Sequence, residues 1–221
     1  MRNKYNTYLP YLILTVINLP LIVSTLDVGW FSDDYAFFIL DQVKLSITNN
    51  FVSDIFTPRS DYHIKPFYNI INFVIMQIYS SHYTVHIFVL LCYIATGFVV
   101  YAIVKRIYDN DLIALISSCL FLLSYDLSIK SLVFNCLHYN LTNTLSGLLA
   151  FYYVLQYIHY KKLKYLMYTL IFLLLTIFNY ETGFVYLLII GTYTLVIFFQ
   201  KKLLFNKVIS IYIILLFSLI T

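Results

Sequence analysis

Two carboxylates stand side by side at Asp33 and Asp34, in the string DVGWFSDDYAFFILDQVKLSI that follows the first long apolar run. Adjacent acids can divide labour, one accepting a proton while the other positions a substrate hydroxyl or an ion. The pair also has a purely structural reading. Ser32 can cap a helix starting near Asp33, and acids in a first helical turn oppose the helix dipole. The same polar segment closes on TPRSDYHIKPFYNIINFVI, which sets Arg59, Asp61, His63 and Lys65 ahead of Pro66. These cations suit a phosphate group, and equally suit an anchor on lipid headgroups. Folded over one membrane face, the acids at one end of the segment and the cations at the other would put a base beside a phosphate-binding patch. A third feature is FNYETGF at 178–184, where Glu181 lies between two apolar runs. An ionisable residue at membrane depth is costly and points to function, whereas Asn179 and Gly183 alone would make this a simple hairpin turn.

Other polar residues carry weaker signals. Asp126 and Lys130 follow an apolar run and fit interfacial solvation, and His138 beside Tyr139 and Asn140 is ambiguous. His82 and His86 lie one helical turn apart, but no third ligand accompanies them, so they read as polar residues at a helix end and no metal site is assigned. Asn140 to Thr142 forms an N-x-T sequon too close to an apolar run to serve as a confident glycan acceptor. Cys92, Cys119 and Cys136 give neither a disulfide framework nor a metal-ligand spacing.

The elements that must position these groups are set by composition. Of 221 residues, 62% are hydrophobic and 11% charged, against roughly 45–50% and 25% in globular chains. Mean hydropathy is +0.84. Such a chain needs an apolar solvent, which excludes an ordinary soluble domain, disorder and collagen-like or coiled-coil structure. The 23 Tyr and 19 Phe supply rings of the kind that collect at membrane interfaces. Runs suited to spanning helices fall at 8–26, 82–104, 112–128, 139–158, 163–179, 183–199 and 208–221. The run 66–79 is too short and is taken as interfacial or re-entrant. Residues 35–47 mix apolar side chains with Asp41, Gln42 and Lys44, which predicts an interfacial helix. Arg2 and Lys4 ahead of an apolar stretch also fit a signal peptide. Asn18 and Pro20 interrupt that stretch and no small-x-small pattern closes it, so an uncleaved first anchor is the simpler reading.

Charge distribution sets the expected sidedness. With Arg2 and Lys4 in the cytoplasm, alternation places ten of the 14 Lys and Arg inside, and only Lys44, Arg59, Lys65 and Lys130 outside. The positive-inside rule favours this arrangement over its mirror image. Eight of the ten acids then lie outside, six of them in the long segment 27–65. Basic residues in such a chain report orientation and imply no nucleic-acid partner.

The order of these features resembles the GT-C superfamily of membrane glycosyltransferases, especially the bacterial relatives of protein O-mannosyltransferases and aminoarabinose transferases. The resemblance is carried by FSDDYAFF at 31–38, HIKPFYNIINFVI at 63–75 with the run 82–107 after it, and NYETG at 179–183. It implies an all-α polytopic membrane protein with about seven transmembrane helices, plus interfacial helices in the first outer loop. Residues 1–221 would form one transmembrane domain, the N-terminal part of a longer enzyme, since the run 208–221 is only about 21 Å long at 1.5 Å per residue. The outer loop 27–65 would carry the site. By the same resemblance Asp34 or Asp33 is the catalytic base, Lys65 with His63 and Arg59 holds a lipid-linked phosphate, and Glu181 lines the same cavity. Tyr180 stands where many relatives carry Lys. The implied activity is transfer of a sugar from a polyprenyl-phosphate donor to a hydroxyl of an acceptor glycan, lipid or protein, on the outer face of the cytoplasmic membrane. No cofactor is required. A divalent ion between the acids is compatible with this chemistry but not demanded by it. The rival class is a non-catalytic polytopic protein, a transporter fragment or an assembly partner, and a transporter would place ionisable groups near the bilayer midplane; a third alternative is an enzyme remnant that folds and does nothing.

Overall fold

The computed structural model describes residues 5–26, 66–67, 69–71, 74, 82–124, 138–179, 183–200, 209 and 211–212, and the regular structure among them is all helical. The helices are α1 (Tyr5–Leu26), α2 (His82–Tyr108), α3 (Asp111–Leu122), α4 (His138–Tyr160), α5 (Leu163–Asn179) and α6 (Gly183–Phe199). The described residues of the 66–79 run, from Pro66 to Val74, are helical as well. The chain divides into two compact units, Met1–Leu141 and Thr142–Thr221.

In the first unit α2 and α3 form a close pair, and α1 packs on both. A short turn joins the pair. Asp109, at φ 50, takes the left-handed conformation after α2 and returns its N–H to the Lys105 carbonyl at 2.8 Å. Asn110 then caps α3, its side-chain oxygen accepting from Leu112 N at 2.9 Å and Ile113 N at 3.1 Å. A short polar side chain satisfies two of the first N–H groups, which have no partner within the helix. Gly97 lets the pair approach: a Cβ there would sit 2.5 Å from the Leu122 Cδ1. Next to it the Ser118 hydroxyl donates to the Gly97 carbonyl at 2.6 Å. Leu14, Tyr101 and Ala114 form the apolar core of this unit, with Tyr11 set edge-on against Phe98 and Tyr101.

In the second unit α4 and α5 run antiparallel. Thr142 meets Asn179, Ser146 meets Thr176, and Tyr153 stacks on Phe172 with ring centroids 5.6 Å apart. On α5 the buried residues Leu166, Thr169, Leu173, Thr176 and Asn179 recur every three or four positions, the spacing of one helix face. Gly147 admits α6, because a Cβ there would lie 2.4 Å from Cγ of the Tyr186 ring. The Tyr212 hydroxyl donates to the Gly191 carbonyl at 2.9 Å, tying the helical residues near 211 to α6.

The helices coincide with the expected runs more closely than the expected spans do. Among the described residues, His86–Tyr108 is the one segment both long and apolar enough to cross a bilayer. Helices α5 and α6 have 17 residues each and α3 has 12, which is about 25 Å and 18 Å at 1.5 Å per residue. The hydrocarbon core is roughly 30 Å thick. The expected 112–128 run is helical only as far as Leu122, after which Leu123 and Ser124 form a turn. The expected final span, 208–221, lies mostly outside the described residues, with Ile209, Ile211 and Tyr212 helical.

Candidate functional site

Asp33, Asp34, Arg59, His63 and Lys65 all fall in 27–65, outside the described residues; Asp126, Lys130 and Glu181, further along the chain, lie outside them too. The structure reaches this chemistry from its flanks. After Lys65, Pro66 and Phe67 are helical, consistent with a proline in a first turn, where its missing N–H leaves no bond unmade. Asn69, one turn further on, is buried.

Glu181 is flanked by two fixed ends. On the α5 side Asn179 is fully buried, and its Nδ2 donates to the Thr142 Oγ1 at 2.8 Å. One turn earlier the Thr176 and Ser146 hydroxyls lie 2.9 Å apart. Both also bond to their own helices, Thr176 to the Phe172 carbonyl at 2.6 Å and Ser146 to the Thr142 carbonyl at 2.8 Å. On the α6 side Gly183 starts the helix so close to α5 that a Cβ would sit 2.7 Å from the Thr176 carbonyl oxygen. Backbone cannot swing aside as a side chain can, so this contact admits only glycine. Asn179 and Gly183, the two residues behind the hairpin reading, therefore hold the ends of the three-residue connection that carries Glu181.

The hydroxyl and amide ladder of Thr142, Ser146, Thr176 and Asn179 contains no titratable group and lies apart from the residues suited to catalysis. Its signal was present in the sequence, as small polar residues at helical spacing on two neighbouring apolar runs. Thr142 is also the last residue of the N-x-T sequon. Its side chain is buried within α4, and there its hydroxyl accepts from Asn179 rather than facing solvent.

His82 and His86 both lie at the start of α2, as expected of residues at a helix end. The His86 side chain is 0% exposed and sits among the buried residues of α2. No group of three His, Cys, Asp or Glu side chains suited to a metal ion occurs among the described residues.

The first unit has a polar node of its own. The fully buried Tyr93 hydroxyl lies 2.8 Å from the Leu122 carbonyl and 3.3 Å from Asn18 Oδ1. With one proton to give, it serves the nearer acceptor, a carbonyl in the last turn of α3 that has no partner within its helix. At the α2–α3 turn the Lys105 ammonium pairs with Asp111 at 2.5 Å, and the Tyr101 hydroxyl donates to the same carboxylate. Lys105 stands in the last turn of α2 and Asp111 in the first turn of α3, where each charge complements its helix dipole. Both groups are substantially exposed, so this pair shapes the turn more than it stabilises the fold.

No family model, no curated protein and no solved structure matches the chain.

Proposed function

We propose that the chain is a multi-pass protein of the cytoplasmic membrane, and that its segment 27–65 carries an inverting glycosyl transfer on the outer face. The membrane reading rests on one observation above the others: the helices expose apolar side chains and bury polar ones. Leu91, Leu120 and Leu188 are 62%, 67% and 71% exposed, while Asn18, Thr96, Ser118, Ser146, Thr176 and Asn179 are buried. In water this would be an unstable exterior. In lipid it is the expected division, with small and polar side chains joining helices and large apolar ones meeting acyl chains.

The enzymatic reading is carried by the order of FSDDYAFF, HIKPFYNIINFVI and NYETG along the chain. In the proposed reaction the acceptor oxygen attacks the anomeric carbon of a polyprenyl-phosphate sugar. The bond from that carbon to the phosphate oxygen breaks, polyprenyl phosphate departs with the electron pair, and the acceptor proton passes to Asp34, with Asp33 positioning the acceptor. Lys65, with His63 and Arg59, stabilises the charge gathering on the departing phosphate.

The test is transfer itself. Membranes containing the protein, supplied with undecaprenyl phosphate carrying radiolabelled mannose, glucose or aminoarabinose, should move label into an acceptor fraction faster than membranes lacking it. No transfer from any donor of this panel would leave a membrane protein without the proposed activity.

A further inference from the structure

The connection between α4 and α5 brings together three observations that the proposed reaction does not use. Lys161, Lys162 and Lys164 are all exposed, within four residues. Residues 142–221 hold six Lys and a single acid, Glu181, which follows the far end of α5, about 25 Å away along a 17-residue helix. No Asp or Glu occurs among the described residues of this unit. Next, Lys161 has φ 59 and closes α4 by donating its N–H to the Tyr157 carbonyl at 2.8 Å. Glycine fills this left-handed cap without strain, whereas a side chain is disfavoured there. A lysine at such a position is an outlier from which a role for the side chain can be argued. Finally, the charge adjoins an apolar track. Leu163 is 70% exposed, and Met167, Tyr168 and Ile171 continue the exposed face along α5. Leu163 to Ile171 spans about 12 Å of helix, close to the depth of one leaflet of a hydrocarbon core roughly 30 Å thick.

Aromatic rings set the boundary between the two regions. The Lys164 ammonium lies 5.2 Å from the centre of the Tyr165 ring, and Tyr165 stacks on Tyr153. Tyr160, exposed beside the lysines, meets His159 edge-on. Cations at the tip, tyrosines beneath them and an apolar track beyond follow the order of headgroup, glycerol region and acyl chain in a phospholipid.

We propose that the α4–α5 turn binds an anionic phospholipid, its phosphate held by Lys161, Lys162 and Lys164 and one acyl chain lying along Leu163, Met167 and Ile171. This inference rests on the membrane reading above, but not on the glycosyl transfer. The experiment begins with carbonate-washed membranes. Loss of the chain at that step overturns the membrane reading and this site with it. The retained full-length chain, purified in a neutral detergent, is titrated with short-chain phosphatidylglycerol, short-chain phosphatidylcholine and inorganic phosphate. Phosphatidylglycerol should bind, weakening as salt is raised, and its affinity should fall roughly fivefold for each lysine replaced in Lys162→Gln and Lys164→Gln. Lys161→Gly removes the strain as well as the charge, so it should raise the melting temperature in detergent alone while weakening phosphatidylglycerol binding. A merely structural role for Lys161 predicts the first change without the second. Equal binding of phosphatidylcholine, full competition by inorganic phosphate at equal concentration, or unchanged affinity in the variant combining Lys161→Gly, Lys162→Gln and Lys164→Gln would each overturn the proposal.

Discussion

At the scale of residues, the question is whether Asp33 and Asp34 start a helix or handle a proton. Asn preserves the size of Asp and is itself a good N-cap, so exchange to Asn separates the two roles. Asp34→Asn should leave expression and thermal stability near wild type while reducing transfer by about 10²–10⁴-fold, the usual cost of losing an acid or base group. Full activity in the double variant, Asp33→Asn with Asp34→Asn, would return the pair to capping alone. Lys65 is tested by binding. Lys65→Ala should weaken retention of a polyprenyl phosphate at moderate salt, and Lys65→Arg should keep part of it, because the charge survives while its geometry changes. Equal retention by wild type and Lys65→Ala would leave only a headgroup anchor. The residues with a structural role were harder to read from sequence than those suited to chemistry. Asn179 looked like a turn former, yet it is buried and bonded to Thr142 across 37 positions of chain, a pairing that no local pattern encodes.

At the scale of elements, the helices were legible because long apolar runs leave few alternatives. The runs 163–179 and 183–199 are helices with those bounds. The end of α3 was not legible. Its apolar run continues past Leu122, but the helix stops there, and Tyr93 from α2 takes up the freed Leu122 carbonyl at 2.8 Å. A tertiary hydrogen bond satisfies the carbonyl at this helix end, and the apolar run by itself does not show where that end falls. The close approaches of helices were equally hidden, since a glycine in an apolar run does not say what it faces. Gly147 faces the Tyr186 ring and Gly183 faces the α5 backbone. Gly147→Ala should therefore destabilise the protein by about 1–3 kcal/mol, the cost of overpacking a filled contact. Pairing it with Tyr186→Ala should recover part of that loss as a coupling between the two sites. Gly183→Ala should show no such recovery with Tyr186→Ala, because its obstacle is main chain. Thermal unfolding in detergent reads all three, and a melting temperature for Gly147→Ala equal to wild type would mean that α4 and α6 are not in contact through this pair.

At the scale of the whole molecule, composition and burial bear on the same property from different sides. The proposed membrane reading draws on a sequence that is 62% hydrophobic with few charges, and on described helices that expose Leu91, Leu120 and Leu188 while burying several hydroxyls. Sidedness is a separate matter, carried by ten of the 14 basic residues falling on one side of the expected alternation. That division would place 27–65 outside, where a lipid-linked sugar would meet its acceptor, and the proposed site depends on it. With Cys92, Cys119 and Cys136 replaced by Ser, a Ser53→Cys variant should react with a membrane-impermeant maleimide in intact cells. Labelling that appears only after the membrane is permeabilised would put the acidic segment in the cytoplasm and contradict the account.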